Sequence, residues 1–242
     1  LPACVEGSNT KIAPIIGSPK ACRVLLKLWD RHHHTTADLV VIEGPKAGGH
    51  LGYKNNQIDD ANYSLEHIVP EVVAEARHFE KLYGCRIPVI AAGGIYTGED
   101  MYRMMSLGAS GVQLGTRFVT TEECDADERF KQAYIRACAE DIEIIKSPVG
   151  MPGRAISGDF LEEVKKGNTH PKTCGYHCIK TCDVKTTPYC IMSALYNAFR
   201  GNLKKGYAFA GSNAYRESRI SSVHEVINEL VDGYKRKALQ MI

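Results

Sequence analysis

The chain has no apolar run approaching the roughly 18 residues that a membrane-spanning helix needs, so no spanning helix is expected. Its start has no basic cluster followed by an apolar stretch, and nothing there reads as a signal peptide. The first residues are Leu1-Pro2 with no initiator Met, and the expectation is that something upstream has been removed. A one-sided charge is also missing. The formal net charge of +2 is too small to draw the chain to nucleic acid or a membrane surface, which leaves a small molecule as the expected partner. Internal repeats and low-complexity tracts are absent. Nine cysteines are far from the density of a disulfide scaffold, and the odd count rules out complete internal pairing. That usage suits a reducing cytoplasm. At 242 residues the chain is long enough for one large domain, or for one core with an appendage.

What is present is alternation. Lys11–Ile16 reads as a short strand that Pro14 makes uncomfortable in a sheet centre. Ser18 and Pro19 open a helix with Val24, Leu25, Leu28 and Trp29 on one face. Asp38–Glu43 is a continuous apolar run of the kind found in buried parallel strands. Ser64–Tyr83 has helical period, with Pro70 expected to start or break a helix inside it. Pro88–Ala92 and Ser110–Leu114 are further strands. Between them Thr97 and Asp100 cap a helix that stops at Gly108, and Thr120-x-x-Glu123 resembles a capping box for the helix of Phe130 and Tyr134. Four strand–helix units by about Cys138 predict a parallel α/β architecture. A closed (β/α)8 barrel takes ~250 residues, so this number of units amounts to half of one. From residue 146 onward the alternation ends: SPVGMPGRAISG is loop-like, a cysteine segment follows, and Val223–Leu239 forms a last amphipathic helix.

Three glycine-bearing turns follow predicted strands. Glu43-Gly44-Pro45-Lys46-Ala47-Gly48-Gly49-His50 lies at a strand's C-terminal end, where barrels place their active-site loops. Paired glycines let backbone approach a ring or phosphate, and His50 would project into the same space; the residues fit equally a tight turn with a surface His. Gly93-Gly94, and then Gln113-Leu114-Gly115-Thr116, sit at the next two strand ends. Together they suit a phosphate held by backbone N–H groups.

The blocks EGPKAGGHLG, IPVIAAGGI, GVQLGTRF and GMPGR resemble the signatures of the nitronate monooxygenase (2-nitropropane dioxygenase) family, over about residues 1–158. The flavin-dependent enoyl-acyl carrier protein reductases are similar in the same blocks. The resemblance implies a TIM-type (β/α)8 barrel binding FMN, with residues 1–158 its C-terminal half and residues 159–242 a mainly helical, cysteine-bearing extension. It further implies His50 as catalytic base over the flavin. Gly93, Gly94, Gln113, Leu114, Gly115 and Thr116 would grip the phosphate, and Glu43, Gly48 and Gly49 would lie along the ring. Glu43 stands where many relatives carry Gln, and Lys46 replaces the usual acid before the glycines. The implied reaction is oxidation of a nitronate or nitroalkane with O2 to a carbonyl compound and nitrite. The alternatives are NAD(P)H-dependent enoyl reduction and a non-catalytic phosphate- or metal-binding protein. Relatives have an N-terminal half with four further strands; a separate chain or fragment supplying it, and a homodimer, are the expected protein partners.

Other candidates have plainer readings. Cys174, Cys178, Cys182 and Cys190, with His170 and His177 near, are spaced to put thiols on one helix face; small buried thiols are the expected reading, and no metal site is assigned. His32-His33-His34 fits a solvated helix end. Arg154 suits either an anion contact or a structural loop. Tyr207–Tyr215, with small residues flanked by aromatics, suits closure over the pocket, though packing of the tail on the barrel is the expected role, and Lys204-Lys205 are expected to be solvated.

Overall fold

The computed structural model describes residues 1–180 and 182–241. Along the chain the strands are β1 (Ile15–Ile16), β2 (Val40–Glu43), β3 (Gly49–His50), β4 (Val89–Ala92), β5 (Gly111–Gln113), β6 (Ile142–Lys146) and β7 (Pro152–Ile156). The α-helices are α1 (Pro2–Val5), α2 (Pro19–His33), α3 (Leu65–Tyr83), α4 (Gly98–Ser106), α5 (Thr116–Val119), α6 (Glu128–Arg136), α7 (Asp159–Lys165), α8 (Ile191–Phe199) and α9 (Val223–Leu239). The chain forms two compact units, one of residues 1–45, 52–114 and from Asn228 onward, the other of residues 46–51 and 115–227. The 158/159 line drawn from sequence falls inside the second unit. Among the described residues no helix is long and apolar enough to cross a membrane.

The first unit is α/β with a parallel sheet in the order β1-β2-β4-β5. Only Ile15 and Ile16 of the expected first strand pair, because Pro14 has no N–H for the ladder; its carbonyl still accepts from Val41 N at 2.9 Å. The register places Ile16, Ile42, Ala91 and Val112 in one row. That face is buried against α2 and α3, whose inward residues include Leu26, Trp29, Val69, Val72, Ala76 and Phe79. Ile15, in the row of Val41 and Ile90 on the opposite face, stays 61% exposed.

Helix α2 begins as its residues dictate, with Ser18 Oγ accepting from Ala21 N at 3.2 Å and Pro19 in the first turn. Helix α3 runs straight through Pro70, against the expected break. Leu65, Ile68, Val69, Val72, Val73, Ala76 and Phe79 form one continuous buried stripe, and burying it outweighs the one backbone bond that Pro70 forfeits. The Thr97–Asp100 capping box is complete: Thr97 Oγ1 accepts from Asp100 N at 3.2 Å, and Asp100 Oδ2 from Thr97 N at 3.0 Å. A Cβ on Gly98 would sit 2.2 Å from Leu230 O, so α4 and α9 cross through that glycine.

The second unit departs from the expectation of a loop at SPVGMPGRAISG. Residues 152–156 are a strand, the centre of an antiparallel sheet in the order β3-β7-β6. Ile145, Ala155, Phe160, Leu161, Tyr189, Ile191, Ala194 and Tyr207 bury one core beside it. The expected Thr120–Glu123 capping box does not form. Thr120 is fully buried and donates to Glu217 at 3.0 Å, Asp127 caps α6 instead, and the Glu123 carboxylate accepts from Val223 N at the start of α9. The cysteine segment is not helical either: between α7 and α8 the described residues hold no helix or strand.

Candidate active site

In the first unit the strands deliver their ends side by side. Glu43, Ala92 and Gln113, the last residues of β2, β4 and β5, stand in one register row. Gly44 N donates to Ala92 O at 2.8 Å, and a Cβ on Gly44 would come within 2.6 Å of the Leu65 side chain. Gly93 and Gly94 follow Ala92 with φ of +93° and +80°, a left-handed backbone that favours glycine. Gln113 is exposed, and Leu114 packs partly against the core. The Glu43 carbonyl accepts from the Tyr53 hydroxyl at 2.6 Å, while burial holds the Glu43 carboxyl above the usual carboxylate range. The three glycine turns, after β2, β4 and β5, therefore start from neighbouring strands.

The second unit positions His50. Short strand β3 pairs Gly49 with Arg154 and His50 with Gly153, and Leu51 N donates to Pro152 O at 2.8 Å. His50 Nε2 lies 2.7 Å from Ser147 Oγ, and the Phe209 ring meets the imidazole edge-on with centroids 5.0 Å apart. The ring is half-buried, and that burial lowers its pKa from the ordinary imidazole value. Gly48 has no room for a side chain, since a Cβ would sit 2.5 Å from Ala210 C and 2.6 Å from Gly211 N. Gly211 N in turn donates to Thr116 Oγ1 at 3.2 Å. Gly49 has φ +77°, and a Cβ there, like one on Gly115, would meet nothing within 4 Å.

Arg154 is buried, and its Nη1 donates to Ala47 O at 2.7 Å, so it clamps the loop that carries His50. Ser147, Phe209 and the 210–211 backbone were missed as site residues in the sequence reading. A Ser before Pro148 does not point to a partner 97 residues away, and a Phe flanked by alanines does not single out His50, farther still along the chain. Tyr207 packs with Phe160, Tyr189 and Phe209 in an aromatic cluster whose members all lie after residue 158. His32 and His33 end α2, His34 caps it in left-handed conformation, and all three are exposed.

A family model for nitronate monooxygenase matches residues 5–233, and the chain belongs to that family. A probable nitronate monooxygenase of Staphylococcus haemolyticus is 34% identical over 145 residues, covering 58% of this chain and 38% of the relative. Another from Staphylococcus saprophyticus is 27% identical over 209 residues, covering 79% and 52%. The chain thus spans about half or less of the curated relatives it matches. Among solved structures, FabK from Thermotoga maritima superposes with a TM-score of 0.72 at 24% identity, over 98% of this chain and 65% of that one. The nitroalkane oxidase from Streptomyces ansochromogenes gives 0.68 at 21% identity, over 96% and 60%. These two likenesses establish the fold.

Proposed function

We propose that this chain carries the base and the nucleotide-binding turns of an FMN-dependent oxidoreductase that oxidises alkyl nitronates or nitroalkanes with O2 to a carbonyl compound and nitrite. The observation that carries the reading is His50, half-buried and oriented by Ser147 on a glycine loop whose backbone admits no side chain at Gly48. Family membership agrees with it.

The residues suit the cofactor. Two consecutive left-handed glycines beside a second strand tip make a backbone concavity of the kind that holds a phosphate. In this reading Gly93, Gly94, Gln113 and Leu114 contact the phosphate through their backbone, with Gly115 and Thr116 next in the chain. Glu43, Gly48 and Gly49 line the ring. Burial favours the neutral form of Glu43, which brings it closer to the Gln of many relatives. A flavin held by these residues would supply the redox chemistry that links substrate oxidation to O2.

The chain's own part is proton transfer. With Nε2–H donating to Ser147 Oγ, the imidazole presents the lone pair of Nδ1 to the α-carbon proton of a nitroalkane. The imidazolium that forms keeps its bond to Ser147. A nitronate substrate needs no such step. Four parallel strands are half of an eight-stranded barrel, so the reading includes four further strands from more polypeptide or another chain, residues 159–242 as an extension, and a cytoplasmic setting.

Flavin absorbance of the purified protein, with nitrite release from nitroethane or 3-nitropropionate, tests the proposal. Absence of nitrite together with NADH consumption on a crotonyl thioester would assign enoyl reduction instead.

A further inference from the structure

The second unit holds an open cavity of about 580 Å3, walled by α7, the irregular stretch after it, α8 and the turn at residues 204–205. Small-molecule sites have volumes of ~300–1,000 Å3. The lining contains neither His50 nor Ser147, nor any residue of the three glycine turns. The cysteines of the irregular stretch are not the buried thiols expected. Cys178 and Cys182 are exposed, Cys174 and Cys190 half-buried, and of these Cys190 alone lines the cavity.

The cavity's charge is one-sided. Lys172, Lys204 and Lys205 line it, all exposed, and among the described residues none of the three has a carboxylate partner. The one carboxylate in the lining, Glu163, is already engaged by Lys166 Nζ at 2.8 Å and Asn168 Nδ2 at 2.7 Å. Two of the lysines stand on a fixed base. A Cβ on Gly206 would sit 1.9 Å from Ala194 O, so the chain after Lys205 lies directly on α8. Asn202 N donates to Asn197 O at 2.8 Å and Lys205 N to Asn202 O at 3.0 Å, which closes the turn. Neighbouring cations held in this way repel each other, and an anion in the cavity reverses that sign. Helix α8 adds to the same field. Its N-cap, Cys190, makes no side-chain bond to the first turn, and with Ser193 it lines the cavity, so the positive end of a nine-residue helix opens there. Thr169, also in the lining, keeps a buried hydroxyl oxygen without a hydrogen-bond partner.

The remaining surface is aromatic. Phe160 and Tyr189 are buried and meet edge-on with centroids 5.3 Å apart. Tyr176 is 49% exposed, and among the described residues its ring meets no other. We propose that this cavity binds a diphosphate carried on an aromatic body, the chemistry of a nucleoside diphosphate. The phosphates lie against Lys172, Lys204, Lys205 and the α8 N-terminus, and the ring against Tyr176. The site goes beyond the proposed reaction and stands whichever substrate His50 serves.

Calorimetric titration of the purified intact chain with ADP, and separately with inorganic pyrophosphate, decides the matter. ADP should bind at one equivalent, more tightly than pyrophosphate and more weakly as salt is raised. Lys204→Gln with Lys205→Gln should weaken it at least ~tenfold, with Tm and flavin absorbance unchanged. Lys20→Gln with Lys235→Gln removes the same charge at exposed positions of the first unit and should bind as the parent does. ADP held at the flavin turns instead would survive in the Lys204 and Lys205 variant, and that result would overturn the site. So would no binding by the parent, or equal losses in the two double variants. Pyrophosphate binding as tightly as ADP would overturn the aromatic body.

Discussion

Ser147 Oγ stands 2.7 Å from His50 Nε2, across 97 residues of chain. Ser147 is itself buried, and its backbone N–H donates to Met151 O at the turn joining β6 and β7, so it cannot drift from the ring. A hydrogen bond of this kind fixes both tautomer and ring plane. Ser147→Ala should lower turnover of nitroethane about tenfold, the equivalent of one hydrogen bond, and leave bound-flavin absorbance unchanged. Equal rates in variant and parent would remove Ser147 from the mechanism.

The pH dependence follows from the sign of the His50 shift. Burial lowers its pKa below 6.5, so the proton-accepting neutral form already dominates at neutral pH. Turnover of a neutral nitroalkane should rise as pH climbs through that lowered value and level off above it, with the midpoint below that of an ordinary imidazole. His50→Asn should cost about 10²–10⁴-fold on the neutral nitroalkane and much less on preformed nitronate, with flavin retained. Unchanged turnover of nitroethane by the variant would show that another group takes the proton.

Gly48 is where the His50 loop presses on backbone. A Cβ there would meet Ala210 C and Gly211 N, neither of which can rotate away. Gly48→Ala should destabilise the fold by about 1–3 kcal/mol, read as a fall in Tm. Gly52→Ala, where a Cβ meets nothing within 4 Å, is the matched control and should change little. Comparable losses in the two variants would mean that the cost is not the contact.

Legibility divided along the line between local and distant interactions. Helices α3 and α9, the run of β2 and the Thr97–Asp100 box announce themselves because period, apolar continuity and capping are properties of neighbouring residues. The two glycine tips after β4 and β5 were legible for the same reason. Strand β7 was not: Met151-Pro152-Gly153 has turn chemistry, and what makes it a strand is pairing with β6 on one side and His50 on the other. Thr120 and Glu123 have the spacing of a box, yet burial against Glu217 and the start of α9 claim them first. The support of His50 by Ser147 and Phe209 is likewise long-range, which is why the histidine was visible in the sequence and its neighbours were not.

Pro70 offers a test of how far the buried stripe of α3 governs its helix. It is exposed in the helix interior, and its missing N–H leaves the Glu66 carbonyl without its usual partner four residues on. Proline in a helix interior costs ~3 kcal/mol relative to alanine, while its loss loosens the unfolded chain by ~0.4–1 kcal/mol. Pro70→Ala should therefore stabilise the fold by about 2 kcal/mol, which for a chain of this size raises Tm by about 4–8 °C. Thermal unfolding followed by circular dichroism measures it. A Tm that fell would mean that the ring contributes packing which an exposed position should not provide.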